Sequence, residues 1–352
     1  MKNIAIYGAK SIALGAYRAI RALYPEYSVK NFLVSKKIGN PDTLAGLPVI
    51  ELSDFSDKEA EIIIATPETL HSEISKYLDV NGFCHYICLD SKKEAALMER
   101  YYSKMGMFPS LHSFNEGETA ATAVAYTVKF YKDQPLHRPY APPAWTIPLQ
   151  VGADLTDQRI CTLTDNTGDH ISSKNPNYCE LTAFYYIWKN ELQKCCDEDY
   201  IGIFHYRRFL DISEADLYRL SENDIDVVLP YPMLHEPDIC EHHTRYVKEP
   251  DWQTMRTAIQ EVQPEYAADF DRIFGQEHMY NYNMLLAKKK VLEEYCAWLF
   301  SITERIEELS TPKESQRADR YIAYMGESLL TLYFMHKQNR LKIAHTGRIM
   351  LT

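Results

Sequence analysis

Four consecutive residues carry the chemistry most suited to an anionic substrate: His205, Tyr206, Arg207 and Arg208. A guanidinium group is a planar, permanently charged fork that grips phosphate or carboxylate through paired hydrogen bonds. The four follow Tyr200 to Phe204, a short apolar run that reads as a buried strand. In open α/β sheets, ligands bind beyond the carboxyl ends of strands. If the strand continues, alternation puts His205 and Arg207 on one face and Tyr206 and Arg208 on the other. One arginine would then meet the substrate while the other braces the fold. The plainer alternative is an ion-pair network that closes a loop.

Other polar groups have the right types for the same chemistry. Asp165-Asn166-Thr167-Gly168-Asp169 is a polar turn ahead of a helix start. With Lys174 and Asn175 it would bind a nucleotide or sugar, because anions are favoured at helix N-termini. Alternatively its Asp and Asn side chains bond their own backbone. Glu180 lies early in its helix, where the dipole favours a carboxylate in any case. Glu327 sits amid apolar residues on a helix expected from Arg320 to Phe334. Burial would raise its pKa and suit it to a base role, unless it bonds one of the arginines. His278, Asn281 and Asn283 lead into an apolar strand from Met284 to Ala287. Asn283 is either a satisfied core amide or a substrate ligand.

The elements that would position these groups are legible. Asn175-Pro176 is a helix start, and Leu181, Phe184, Tyr185 and Trp188 recur with helical spacing. Upstream, Lys2 to Tyr7, Phe32 to Ser35, Glu61 to Ala65 and Tyr86 to Leu89 read as strands alternating with helices, which implies a Rossmann-like parallel sheet. The loop after the first strand keeps Gly8 and Gly15 but has Lys10 at the middle glycine position, and the second strand ends without an acid. Gly8, Lys10, Ser11 and Thr66 are candidates for a nucleotide, sugar-nucleotide or CoA site; otherwise this half is a ligand-free scaffold that docks a partner. The boundaries read as 1–103 for this region, 104–121 for a linker and 122–352 for the rest.

Two acidic groups, Asp197-Glu198-Asp199 and Asp224-Ile225-Asp226, have the spacing of metal ligands. Both precede their strands, at the end opposite to a nucleotide site, so no metal is expected there. The chain has 352 residues and a formal net charge of -11, which argues against nucleic acid as a partner. Eight cysteines without CxxC spacing read as reduced thiols. With no signal peptide and no apolar run of ~20 residues, a cytoplasmic protein is expected.

The stretches CELTAFYYIWKN and DYIGIFHYRRF resemble the core of a bacterial family of capsular or exopolysaccharide glycosyltransferases. IPLQVGA, DNTGDHISSKN, DVVLP and the segment from Pro264 to Phe300 continue the resemblance in order, over roughly the C-terminal two thirds. It implies a GT-A-like domain behind the Rossmann-like one, an α/β chain in two parts. It implies transfer of a hexose from a nucleotide sugar, UDP-hexose or UDP-galactofuranose, to a lipid-linked oligosaccharide acceptor. Peripheral contact with the inner face of the membrane or with polysaccharide-assembly proteins would follow. In that reading Arg207, Arg208 and His205 stabilise the leaving diphosphate and Glu180 or Glu327 is the base. His278, Asn281 and Asn283 lie under a sugar, and neither a metal nor another cofactor is required. The sequence departs from the family at Thr127 to Lys129, where a His is missing, and at Ser328, where Arg is usual. The rival readings are a non-catalytic assembly module and a nicotinamide-dependent sugar oxidoreductase.

Overall fold

The computed structural model describes residues 2–312 and 317–351. Two sheets organise it. The first is built from β1 (Lys2–Tyr7), β2 (Tyr27–Val34), β3 (Thr43–Leu44), β4 (Leu47–Glu51), β5 (Glu61–Ile64) and β6 (Tyr86–Cys88), in the order β3-β4-β2-β1-β5-β6. All of its pairings are parallel except β3 with β4. Gly8 ends β1 at φ +131, and a Cβ there would meet the Ala65 carbonyl oxygen at 2.5 Å, so the turn admits only glycine.

The second sheet has nine strands. They are β7 (Ala123–Lys129), β8 (Thr146–Gln150), β9 (Leu163–Thr164), β10 (Tyr200–His205), β11 (Arg208–Leu210), β12 (Val227–Pro230), then β15 (Leu285–Lys288), β16 (Ile343–Thr346) and β17 (Arg348–Met350). A separate small hairpin pairs β13 (Met233–Leu234) with β14 (His278–Met279). In the order β16-β12-β15-β10-β7-β8-β9, β10 is parallel to β7 and antiparallel to β15. The fold is thus α/β, with a largely parallel first sheet, as the alternation of its elements predicts, and a second sheet of mixed parallel and antiparallel pairs. Central position suits β10: Tyr200, Ile201, Ile203 and Phe204 are all buried. At Gly202 a Cβ would come within 2.7 Å of the Ala125 Cβ, so the neighbouring strand packs against bare backbone.

Helices Lys289–Leu309 and Tyr321–His336 cover the large sheet with a dense aromatic core that includes Tyr295, Trp298 and Tyr333. Among the described residues no helix is long and apolar enough to cross a membrane. The 104–121 segment is not an open tether. Helix Ser91–Met105 runs into it, Leu111 is fully buried, and Ser110 bridges to His345. The two sheets are also clamped together. Arg18 pairs with Glu277 at 2.6 Å, Arg348 with Glu94 at 2.9 Å, and the buried Tyr102 donates to the Pro232 carbonyl at 3.0 Å.

Candidate active site

The carboxyl ends of both sheets open onto one cleft of about 1530 Å³. Gly8 to Ile12, Ser35, Lys36 and Thr66 line one wall; Val128, Phe130 to Gln134, Glu180 and His205 to Arg208 line the other. The candidate loop of the first region and the His-Tyr-Arg-Arg run of the second therefore face the same space. The cations in its lining are Lys10, Lys36, Lys132, Arg207, Arg208, Arg245 and Arg320, against Glu73, Asp133, Glu180 and Glu327. A chain of net charge -11 thus opens a locally positive cleft.

The strand does not continue past His205. Tyr206 and Arg207 form a tight turn, and His205 pairs with Arg208 across an antiparallel hairpin. Alternation is lost, and both arginines line the cleft rather than one bracing the fold. Among the described residues, neither has a carboxylate within ion-pair distance, and Arg207 Nε, Arg208 Nε and His205 Nε2 are buried without a hydrogen-bond partner. Arg208 lies over the Tyr282 ring, 4.5 Å from its centroid. Burial, then the Arg208 charge, holds His205 down to about 3, so its imidazole is neutral. Three unsatisfied nitrogens at one strand end are what an anion would complete.

The two candidate carboxylates stand beside them. The expected single helix from Asn175 is broken at Cys179, whose φ of 47 and ψ of -122 no helix accommodates. A short helix Asn175–Tyr178 stops there and another, Leu181–Tyr186, begins. Glu180 is therefore an N-cap, turned to accept from Asn283 Nδ2 at 2.7 Å. Burial raises its pKa, against that hydrogen bond. Among the described residues Glu327 is bonded to no arginine; it accepts from Asn281 Nδ2 at 3.3 Å. Burial first, and the Glu180 charge second, push it up to about 7. Positive φ at Cys179, Tyr282, Asn283 and Arg320 rings this site with non-glycine strain, on the order of 1–3 kcal/mol each.

Several expected ligands lie elsewhere. Asp165 is fully buried and accepts from the Gly152 and Ala153 amides at 3.0 and 3.1 Å and from Ser172 at 2.5 Å. Asn166 bonds Asp154 and Thr164, Asp169 accepts from Tyr185, and Lys174 pairs with Glu307. This turn satisfies itself and does not reach the cleft. Of that group only Asn175 lines it, with its amide donating to the Cys179 carbonyl at 2.8 Å. His278 is likewise absent from the lining: it packs against Tyr102 and Phe108, where the two regions meet. Asn281 and Asn283 hold the two carboxylates instead of standing alone as ligands.

Sequence reasoning missed Asp133, His235, His242, Arg245 and Arg320, all in the lining. Burial pushes Asp133 up to about 6. The histidines gave a signal: His235, His242 and His243 crowd one short stretch with Arg245.

Comparisons with known proteins bear on the family and the fold. A family described as a domain of unknown function, DUF4422, matches residues 135–339, more than half of the chain. The apo structure of WbbM, a bifunctional glycosyltransferase, superposes with a TM-score of 0.53 at 25% identity, over 66% of this chain and 45% of that one. This chain therefore spans less than half the length of the WbbM chain. The yvaA protein of Bacillus subtilis reaches a TM-score of only 0.22 at 16% identity, over 37% of this chain and 46% of its own, and carries no argument. No curated protein matches.

Proposed function

This chain belongs to the DUF4422 family, and from that premise we propose that it is a glycosyltransferase using a nucleotide-sugar donor. The likeness to WbbM supports the reaction class. The observation that carries the reading is local: three unpartnered nitrogens at the end of β10 share a cleft with a carboxylate whose pKa stands at about 7. The acceptor hydroxyl gives its proton to Glu327, its oxygen attacks the anomeric carbon, and the bond from that carbon to the diphosphate oxygen breaks. The electron pair leaves with the nucleoside diphosphate, whose charge Arg207 and Arg208 balance. Neutral His205 donates to the same oxygens. Glu180 keeps Glu327 basic through its charge and orients the acceptor.

The finer assignments rest on the resemblance in the sequence. They are a UDP-hexose or UDP-galactofuranose donor, a lipid-linked oligosaccharide acceptor of a surface polysaccharide, a GT-A-like domain over 122–352, and a cytoplasmic site at the inner face of the membrane. Catalysis needs no divalent metal in this reading. The acids that would have supplied ligands are spent: Asp165 on backbone amides and Asp169 on Tyr185, both outside the cleft. Two arginines beside the diphosphate would repel a cation.

The test is a panel of nucleotide sugars, read by thermal stabilisation and by release of nucleoside diphosphate in excess EDTA. One donor should bind and turn over. Failure of every nucleotide sugar to bind sinks the reading, and activity lost in EDTA and restored by Mn²⁺ sinks its metal-free part.

A further inference from the structure

A chain of hydrogen bonds crosses the cleft from the first sheet to Glu327. Ser11 Oγ, at the first residue of the helix after β1, lies 3.0 Å from His235 Nδ1. His235 Nε2 lies 3.3 Å from Asn281 Oδ1, and Asn281 Nδ2 donates to Glu327 Oε2 at 3.3 Å. The directions follow from chemistry. A carboxylate only accepts, so the Asn281 amide turns its NH₂ to Glu327 and its carbonyl oxygen to His235. That oxygen also accepts, so His235 carries its proton on Nε2. A neutral imidazole has one N–H, which leaves Nδ1 as acceptor and Ser11 as donor. Every link thus donates toward Glu327. His235 is 4% exposed and Asn281 9%, so bulk water does not substitute for either partner.

We infer that His235 is a positioning residue, locking the Asn281 amide in the orientation that donates to Glu327 and tying that orientation to Ser11 in the glycine loop. The first sheet then contributes to the carboxylate's basicity without touching it. The groups around the chain are consistent with this. Glu180, Arg208, Tyr282 and Cys179 interact electrostatically with Glu327. The His242 ring lies tilted against that of His235, with centroids 3.7 Å apart, and Arg245 and Arg348 also act on His235. Burial holds His235 down to about 4 and His242 down to about 3, so both remain neutral where Glu327 titrates. The catalytic meaning rests on Glu327 being the base; the positioning role does not.

Two polar substitutions separate the ends of the imidazole. His235→Gln places an amide NH₂ near the Nε2 position and keeps the donor toward Asn281. His235→Asn keeps a polar group near Nδ1 and loses that donor. The Glu327 carboxyl is titrated by infrared difference spectroscopy against E327Q, beside the pH profile of turnover. H235N should raise the Glu327 midpoint by about one pH unit, the scale of a lost hydrogen bond to a charged group. Turnover should fall about tenfold on the acid limb, with the donor KM unchanged above it. H235Q should titrate close to wild type, and Ser11→Ala should shift the midpoint slightly upward. Equal titration of H235N and wild type overturns the inference, as does an equal shift in H235N and H235Q. Should E327Q keep full turnover, the base reading fails, while the infrared midpoints still decide the positioning role.

Discussion

The two ends of β10 treat charge in opposite ways. At its amino end, Tyr200 pairs with Lys288 of β15, and Lys288 stands among Asp224, Glu198 at 3.4 Å and Asp226 at 3.8 Å. Lys289 pairs with Asp197 at 3.0 Å. At the carboxyl end, Arg207 and Arg208 have no such partners among the described residues, and their neighbours Glu180 and Glu327 accept from asparagine amides. A cluster that satisfies itself stabilises a fold. One left unsatisfied in a cleft is completed by a ligand. The acidic triplets, which look like metal motifs in the sequence, belong to the first kind, and the His-Tyr-Arg-Arg run to the second.

Substitutions should reproduce this asymmetry. The largest effect is expected from Glu327→Gln, which removes the base without changing volume. Transfer should fall by on the order of 10²–10⁴, while donor binding, measured by calorimetry, persists. Wild-type turnover in this variant would move the chemistry to Glu180 or Asp133. Next come Arg207→Lys and Arg208→Lys, which keep charge but lose the planar fork. Each should weaken donor affinity by roughly tenfold, about 1.4 kcal/mol. If both bind a verified donor like wild type, the diphosphate lies elsewhere in the cleft.

Proton effects sharpen the contrast, because the carboxyl end is where groups are buried against their charge. Turnover should rise with pH through about 7 as Glu327 loses its proton. Stability should move for a different reason. His205, His235 and His345 are held neutral, down to about 3, 4 and 3, whereas an ordinary histidine protonates near 6.5. Below that pH the unfolded chain binds protons that the fold refuses, so their contribution is complete above 6.5 and is lost as pH falls toward 4. Glu327, Asp133 and Glu180, all raised by burial, act in the opposite sense and cost stability as pH rises from about 4 toward 7, but they are three groups against five, because His242 and His278 are held down as well. The melting temperature by scanning calorimetry should therefore drop between pH 6.5 and 4; a flat or rising profile there would contradict neutral buried histidines. The smallest effect belongs to the satisfied end. Lys288→Met should cost about 1 kcal/mol in urea unfolding, since Asp224 is largely exposed, and should leave turnover unchanged. A turnover defect in that variant would undo the distinction between the two ends.

Much of the site's composition is visible in the one-dimensional chain. The apolar run before His205 reads as a strand, strand ends in α/β sheets are where ligands sit, and two arginines there ask for an anion. Glu180, Glu327, Asn281 and Asn283 stand out for similar reasons. Their partnership does not, because it depends on backbone that departs from regular geometry. A single residue, Cys179, breaks a helix whose apolar spacing reads as continuous, and it turns Glu180 toward Asn283.

The sequence alone determined the alternation of strands and helices, since the 2.0 and 3.6 periods are local properties of side-chain burial. It determined the glycine at position 8 and the anion-seeking character of the arginines, which follow from sterics and charge at single positions. Only the tertiary structure decided that two sheets point their carboxyl ends into one cleft, bringing Ser11 to His235 across more than two hundred residues. Only it decided that Asp165 spends its charge on backbone amides while Glu327 keeps an elevated pKa. Those outcomes depend on desolvation and on which groups meet through space, and neither quantity is a property of neighbours along the chain.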